Sequence, residues 1–279
     1  MGDVREGKTI RPEVFGRFEA LVRNLAGRES VVVLFSGGVD STLLAHAAYT
    51  ALKDRSVALT FRSPLEDPGE VRMAEAAALC IGIRHVTVGS LDLSVPEIAA
   101  NRPDRCYVCR KHRDALALEW ARRNGYEVLV DGFSLSDLEE DRPGKKASDE
   151  DGVGHPLLEA LLGRNDIREL SRFLGLEGWE RTGSPCLATR FPPFTALSEE
   201  ALRRVARSET ALRALGFAPV RVRSLPGPFA VVETGDPSGL VARRDRVVRI
   251  LKEEGFMRVL IDLEGYERGK MGRIPPGKA

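Results

Sequence analysis

Ser30-Val31-Val32-Val33-Leu34-Phe35-Ser36-Gly37-Gly38-Val39-Asp40-Ser41-Thr42 is the stretch from which the rest of the chain can be read. Residues 30–35 form an unbroken β-branched and apolar run, the mark of a parallel strand buried on both faces. A Gly-Gly turn follows, then a helix predicted over Ser41–Leu52. Glycines let a backbone turn tightly and approach an anion closely. The helix start offers unpaired N–H groups and the positive end of its dipole. We therefore expect Ser36, Gly37, Gly38, Val39, Asp40, Ser41 and Thr42 to hold the phosphates of a nucleotide. Ser36, Ser41 and Thr42 add hydroxyl donors, and Asp40 adds an oxygen able to hold Mg²⁺ against phosphate. An ordinary βα turn is the plainer reading of a Gly-Gly pair; the strand before and helix after favour the anion site. The Gly-Lys-Ser/Thr of a Walker A loop is absent.

Outward from this loop, strands and helices alternate. Helices are expected over 14–26, 69–79, 110–124 and 166–174, and strands over 57–61, 85–88 and 128–130. That alternation predicts right-handed βαβ units and a doubly wound, mostly parallel α/β sheet, with ligands at the carboxyl ends of its strands. Ser134–Gly154 is polar and reads as a loop. After Phe191-Pro192-Pro193-Phe194 the pattern changes: a helix over 198–215 with Ser198 as N-cap of a capping box, strands over 220–225 and 229–233, a helix over 238–254 and a strand over 258–262. The expectation is an α/β domain over 1–194 and a smaller α+β domain, for substrate or oligomerisation, over 195–279.

With 279 residues, 43% hydrophobic and 30% charged, the chain can bury a core, which excludes a disordered polymer. Its 42 basic and 41 acidic residues leave a net charge of +1, which argues against a nucleic-acid coat or a polybasic membrane anchor. No stretch reaches the roughly 18 apolar residues of a membrane span, and the first ten residues lack a secretory h-region. A cytoplasmic, soluble protein is expected.

Of four cysteines, Cys106 and Cys109 form a Cys-x-x-Cys at a predicted helix start, and Cys186 stands alone in Ser184-Pro185-Cys186-Leu187-Ala188-Thr189-Arg190. A helix start and nearby arginines favour thiolates. A redox pair, a zinc site and an iron–sulfur site are all open. Zinc wants four ligands, and His112, His155 or Cys80 would have to supply the fourth. Three cysteines suit an iron–sulfur cube with one open iron. Cys80, ending an Ala-rich helix, is expected in the core.

Ser36–Ser41 resembles the PP-loop of the N-type ATP pyrophosphatases, in which an oxygen attacks the α-phosphorus of ATP and pyrophosphate leaves. A longer set carries a narrower resemblance: 36–42, Asn101-Arg102-Pro103-Asp104-Arg105-Cys106-Tyr107-Val108-Cys109, Asp131-Gly132, Asp137, Arg142-Pro143-Gly144, Pro185–Pro192 and Val220-Arg221-Val222-Arg223. With these residues the chain resembles the LarE family, ATP-dependent sulfur transferases of nickel-pincer cofactor synthesis, over about residues 14–272.

The resemblance implies a small mononucleotide substrate, pyridinium-3,5-biscarboxylic acid mononucleotide, adenylated by ATP and converted to a thiocarboxylate. It implies Mg²⁺ at Asp40 and Asp137, and a catalytic role for Asp40. Some members sacrifice a cysteine. Others hold a [4Fe-4S] cluster on three cysteines, and Cys106, Cys109 and Cys186 match that kind, with Cys186 catalytic. A separate sulfide donor and a homo-oligomer are also expected. Arg221 and Arg223, two apart on a strand, share a face; with Arg190 they are the expected clamp for the mononucleotide phosphate, the alternative being a solvated strand face and, for Arg190, a partner acid. Glu140 is also implied near metal or substrate, although Asp141 departs from the tyrosine of many relatives. A tRNA thiolase is the competing function, disfavoured by the neutral charge. An ammonia-using ligase would leave the cysteines without purpose.

Overall fold

The computed structural model describes residues 3–5, 8–139, 143–181, 183, 185–267 and 270. The chain divides into two compact units. The first comprises residues 1–63, 68–90 and 106–184; the second comprises 64–67, 91–105 and 185–279. The second unit thus gathers two short segments from earlier in the chain with the residues from 185 onward.

In the first unit, β1 (Asp3–Arg5) and β2 (Lys8–Ile10) pair antiparallel. Helix α1 (Pro12–Ala26) begins on a proline, which needs no N–H partner there, and buries Val14, Phe18, Leu21 and Leu25 at helical spacing. The expected alternation follows as β3 (Val31–Leu34), α2 (Val39–Leu52), β4 (Ser56–Arg62), α3 (Pro68–Ile81) and β5 (Arg84–Gly89). Beyond the short α4 (Pro96–Ala99), a piece of the second unit, come α5 (Arg105–Arg123) and β6 (Val128–Val130). The four strands form one parallel sheet in the order β5-β4-β3-β6. Alternate residues of β3 face opposite layers. Val31 and Val33 pack with α1 and α2, and Val32 packs with Ala117 and Ala121 of α5. The chain crosses from one side of β3 to the other before β6, so the crevice at the carboxyl ends of β3 and β6 is the switch point where ligands bind in such sheets.

The polar stretch 134–154, expected as a loop, contains α6 (Pro143–Glu150). It buries only Ala147 and Ser148, so it has no apolar stripe to announce it. Then follow α7 (Pro156–Glu159) and α8 (Arg164–Phe173).

In the second unit, α9 (Glu199–Ala214) precedes β7 (Val220–Leu225) and β8 (Phe229–Thr234), which pair antiparallel. After α10 (Pro237–Ala242) and α11 (Arg244–Glu253), β9 (Arg258–Ile261) lies parallel to β8. Ser198 caps α9 by accepting from Ala201 N–H at 3.2 Å. Residue 201 is alanine, so the expected reciprocal capping box reduces to this single bond. The one helix expected over 238–254 is two, broken at Arg243. Among the described residues no helix is long and apolar enough to cross a membrane.

Candidate active site

The loop after β3 closes on its own hydroxyls. Ser41 Oγ lies 3.1 Å from Ser36 Oγ and donates to Gly38 O at 3.1 Å. Gly38 N–H donates to Ser36 Oγ, and Ser36 N–H to Ser41 Oγ, each at 3.3 Å. Gly37 holds φ +71°, and a Cβ there would stand 2.7 Å from Ala74 Cα, so only glycine fits. Gly38 is the N-cap of α2 and brings no capping side chain. The start of α2 thus has no side-chain cap from its N-cap residue, and a helix start of this kind suits an anion. Ser36 is exposed, Gly37 to Asp40 are half-buried, and Ser41 and Thr42 are buried. The residues read as a phosphate site are thus one continuous loop and helix start, with Asp40 in the first turn. This arrangement fits a nucleotide triphosphate.

Cys106 and Cys109 lie one turn apart at the start of α5, the first exposed and the second half-buried. Cys186 belongs to the second unit and is half-buried. None of the four cysteines is in a disulfide. Three reduced thiols, two of them at i and i+3, have the donor chemistry an iron–sulfur cluster takes. Among the described residues, no three His, Cys, Asp or Glu side chains stand grouped to hold a metal ion. Cys80 is exposed, contrary to expectation, because α3 turns Val71, Ala74 and Ala78 inward instead. His155 is not available as a fourth ligand, since both ring nitrogens face carboxylates. Asp137, 7% exposed, accepts from the N–H and hydroxyl of Ser134 at 2.8 and 3.0 Å, closing the turn that starts 135–139. Glu140, Asp141 and Arg142 lie outside the described residues.

The second unit fixes the backbone that carries Cys186. Its carbonyl accepts from Thr189 Oγ1 at 2.8 Å and from Arg190 Nη1 at 3.3 Å. Arg190 is 1% exposed and also donates from Nη1 to Pro185 O at 2.8 Å. Its Nε and Nη2 form a two-pronged pair with Glu209 at 2.9 and 3.0 Å. Glu209, on α9, has no exposed surface and also takes Val222 N–H at 3.0 Å. Arg223 makes the same kind of pair with Glu233 of β8, at 2.8 and 2.6 Å, and donates to Thr189 O at 2.9 Å.

Strand β7 is therefore no solvated face: Arg221 and Arg223 are 9% and 6% exposed. The donors of Arg190 and Arg223 are largely taken up inside the protein, where the sequence led us to expect an open clamp. Arg221 differs. It donates to Val220 O at 2.8 Å, lies over the Tyr266 ring at 5.3 Å and stands 3.9 Å from Glu209. Burial and then the charge of Arg190 lower its pKa, so an added anion there would relieve both.

The sequence model of the asparagine synthase family matches residues 17–116, from α1 through the loop and into α5. An uncharacterized protein of Synechocystis sp. is 37% identical over 250 residues, 88% of this chain and 93% of the other. The pyridinium-3,5-bisthiocarboxylic acid mononucleotide synthase of Lactiplantibacillus plantarum is 35% identical over 255 residues, 90% of this chain and 92% of the other. An uncharacterized protein of Methanocaldococcus jannaschii is 28% identical over 239 residues, 85% and 91% of the two chains.

Proposed function

This chain belongs to the LarE family of ATP-dependent sulfur transferases, and from that premise we propose that it converts the carboxylates of pyridinium-3,5-biscarboxylic acid mononucleotide to thiocarboxylates. The observation that carries the reading is the 36–42 loop at the switch point of the sheet, in a chain alike over nine-tenths of its length to the L. plantarum synthase. A carboxylate oxygen of the acceptor attacks the α-phosphorus of ATP, the bond to the bridging oxygen breaks, and pyrophosphate leaves. Sulfur then adds to the activated carbonyl carbon and AMP departs. The N–H groups at the start of α2 hold the terminal phosphates, where negative charge builds as pyrophosphate separates.

Asp40 and Asp137 are the proposed Mg²⁺ ligands; the ion, when bound, shields the triphosphate oxygens. Cys106, Cys109 and Cys186 are proposed to hold a [4Fe-4S] cluster, which would supply the transferred sulfide. Arg221 is the direct ligand proposed for the mononucleotide phosphate, with Arg190 and Arg223, each already paired with a carboxylate, holding the backbone around it.

Product analysis tests the reaction class: with acceptor and sulfide donor, ATP should yield AMP and pyrophosphate, and conversion to ADP and orthophosphate would overturn it. Anaerobic purification with iron and sulfide assays tests the cluster. Full activity of a Cys106→Ala/Cys109→Ala protein would exclude it. A loss of about 34 Da from the chain after turnover, one H₂S, would mark Cys186 as sacrificed instead.

A further inference from the structure

A buried ionic cluster of the first unit adjoins the nucleotide loop, and none of its members takes part in the adenylation or sulfur-transfer steps. Gly154 N–H donates to Leu129 O and Asp131 N–H to Gly154 O, so residues 153–155 run alongside β6 and bring His155 to Asp131. His155, 7% exposed, places Nδ1 2.7 Å from Asp131 Oδ1 and Nε2 2.9 Å from Asp149 Oδ1. A carboxylate only accepts, so both contacts are satisfied together by the imidazolium. Asp131, 3% exposed, also takes Arg110 Nη2 at 2.6 Å on Oδ2 and Phe133 N–H at 3.1 Å on Oδ1. Phe133 meets the imidazole edge-on, and Arg110 is itself paired with Asp114 at 2.8 Å.

The charged groups facing His155 are thus Asp131 after β6, Asp149 and Lys145 on α6, and Arg110 and Asp114 on α5. Burial opposes the charge of His155, but Asp131 and then Asp149 outweigh it and raise its pKa above the ordinary value. Lys145, and then His155, hold the Asp149 carboxyl below its usual range.

The next residue connects this cluster to the nucleotide. A Cβ at Gly132 would lie 3.1 Å from Ser41 N and 3.4 Å from the Asp40 carbonyl carbon, so the 131–132 backbone rests on the first turn of α2. We infer that Asp131, clamped between Arg110 and protonated His155, is a positioning residue that sets this turn against the start of α2, and that ATP binding accordingly depends on the His155 proton. The inference rests on reading 36–42 as the ATP site.

Its test is calorimetric ATP binding to the full-length protein against pH, which needs neither acceptor nor sulfur. Arg110 follows Cys109 directly, so His155→Gln and the half-exposed Asp149→Asn are the better probes. Titration of ATP itself is common to all proteins and cancels in the ratio to wild type. Near pH 6, His155→Gln should weaken ATP binding by about tenfold, the scale of one charge-assisted bond. At the alkaline end, once wild-type His155 has lost its proton, the ratio should fall toward about one. Asp149→Asn should depart from wild type at lower pH, because its histidine gives up the proton sooner. A ratio independent of pH, or an Asp149→Asn curve superimposed on wild type, overturns the inference. Wild-type protein that binds no ATP at any pH overturns the reading of the loop, a distinguishable failure.

Discussion

Arg190 and Glu209 lie almost wholly out of water, and the desolvation of each is offset only while the other is present. Arg190→Met should therefore cost about 3–5 kcal/mol of stability, the usual scale for stranding a buried charge. Urea denaturation checks this, and a loss under about 1 kcal/mol would show that Arg213 or Arg221 takes over Glu209. At position 37, alanine must adopt φ +71° with its methyl against Ala74. Left-handed backbone costs roughly 1–2 kcal/mol and overpacking about 1–3 more. Gly37→Ala should accordingly abolish ATP binding in titration calorimetry or lower the melting temperature. The role of Gly37 could be read beforehand because strand, loop and helix are contiguous. For Arg190 a partner acid was one reading, but which acid could not be read, since Glu209 is nineteen positions away on another element and no local spacing rule pairs them.

Single helices succeed or fail at their ends. Ser198 supplies the one side-chain cap of α9, so Ser198→Ala should lower stability by about 1 kcal/mol. That is measurable as a shift of the denaturation midpoint with unchanged slope. The break between α10 and α11 follows from Arg243, which leaves helical geometry at φ −112°, ψ 21° and reaches back to Leu215 O. Nothing in the apolar spacing of 238–254 announces it. Helix α6 was hidden for the opposite reason: polar bonds hold it, Lys145 to Asp149 and Ser148 to Asp114, in place of an apolar stripe. Helices α1 and α9 were legible because each carries enough buried leucine, valine or alanine to set a period, and α2, buried nearly all round, because it follows the strand and the Gly-Gly turn.

Across the whole molecule, alternating strands and helices sufficed to read the parallel sheet and to place the loop at its switch point, since β3, β4 and β6 are largely buried and mostly apolar, although β5 at the sheet edge is not. The membership of the second unit was not legible, because it depends on backbone bonds between remote positions. Leu187 N–H donates to Leu65 O at 2.8 Å, Leu197 N–H to Ala99 O at 2.7 Å, and Asn101 Nδ2 to Pro192 O at 2.8 Å. Residues 195–279 produced alone should therefore show no cooperative thermal transition by circular dichroism, whereas the full chain should melt cooperatively. A sharp melt of the fragment would mean that these bonds are dispensable. The same stitching bears on how relatives can be recombined. A chimaera that exchanges the C-terminal third between homologues would inherit mismatched seams at 64–67 and 91–105 unless those two short pieces travel with it.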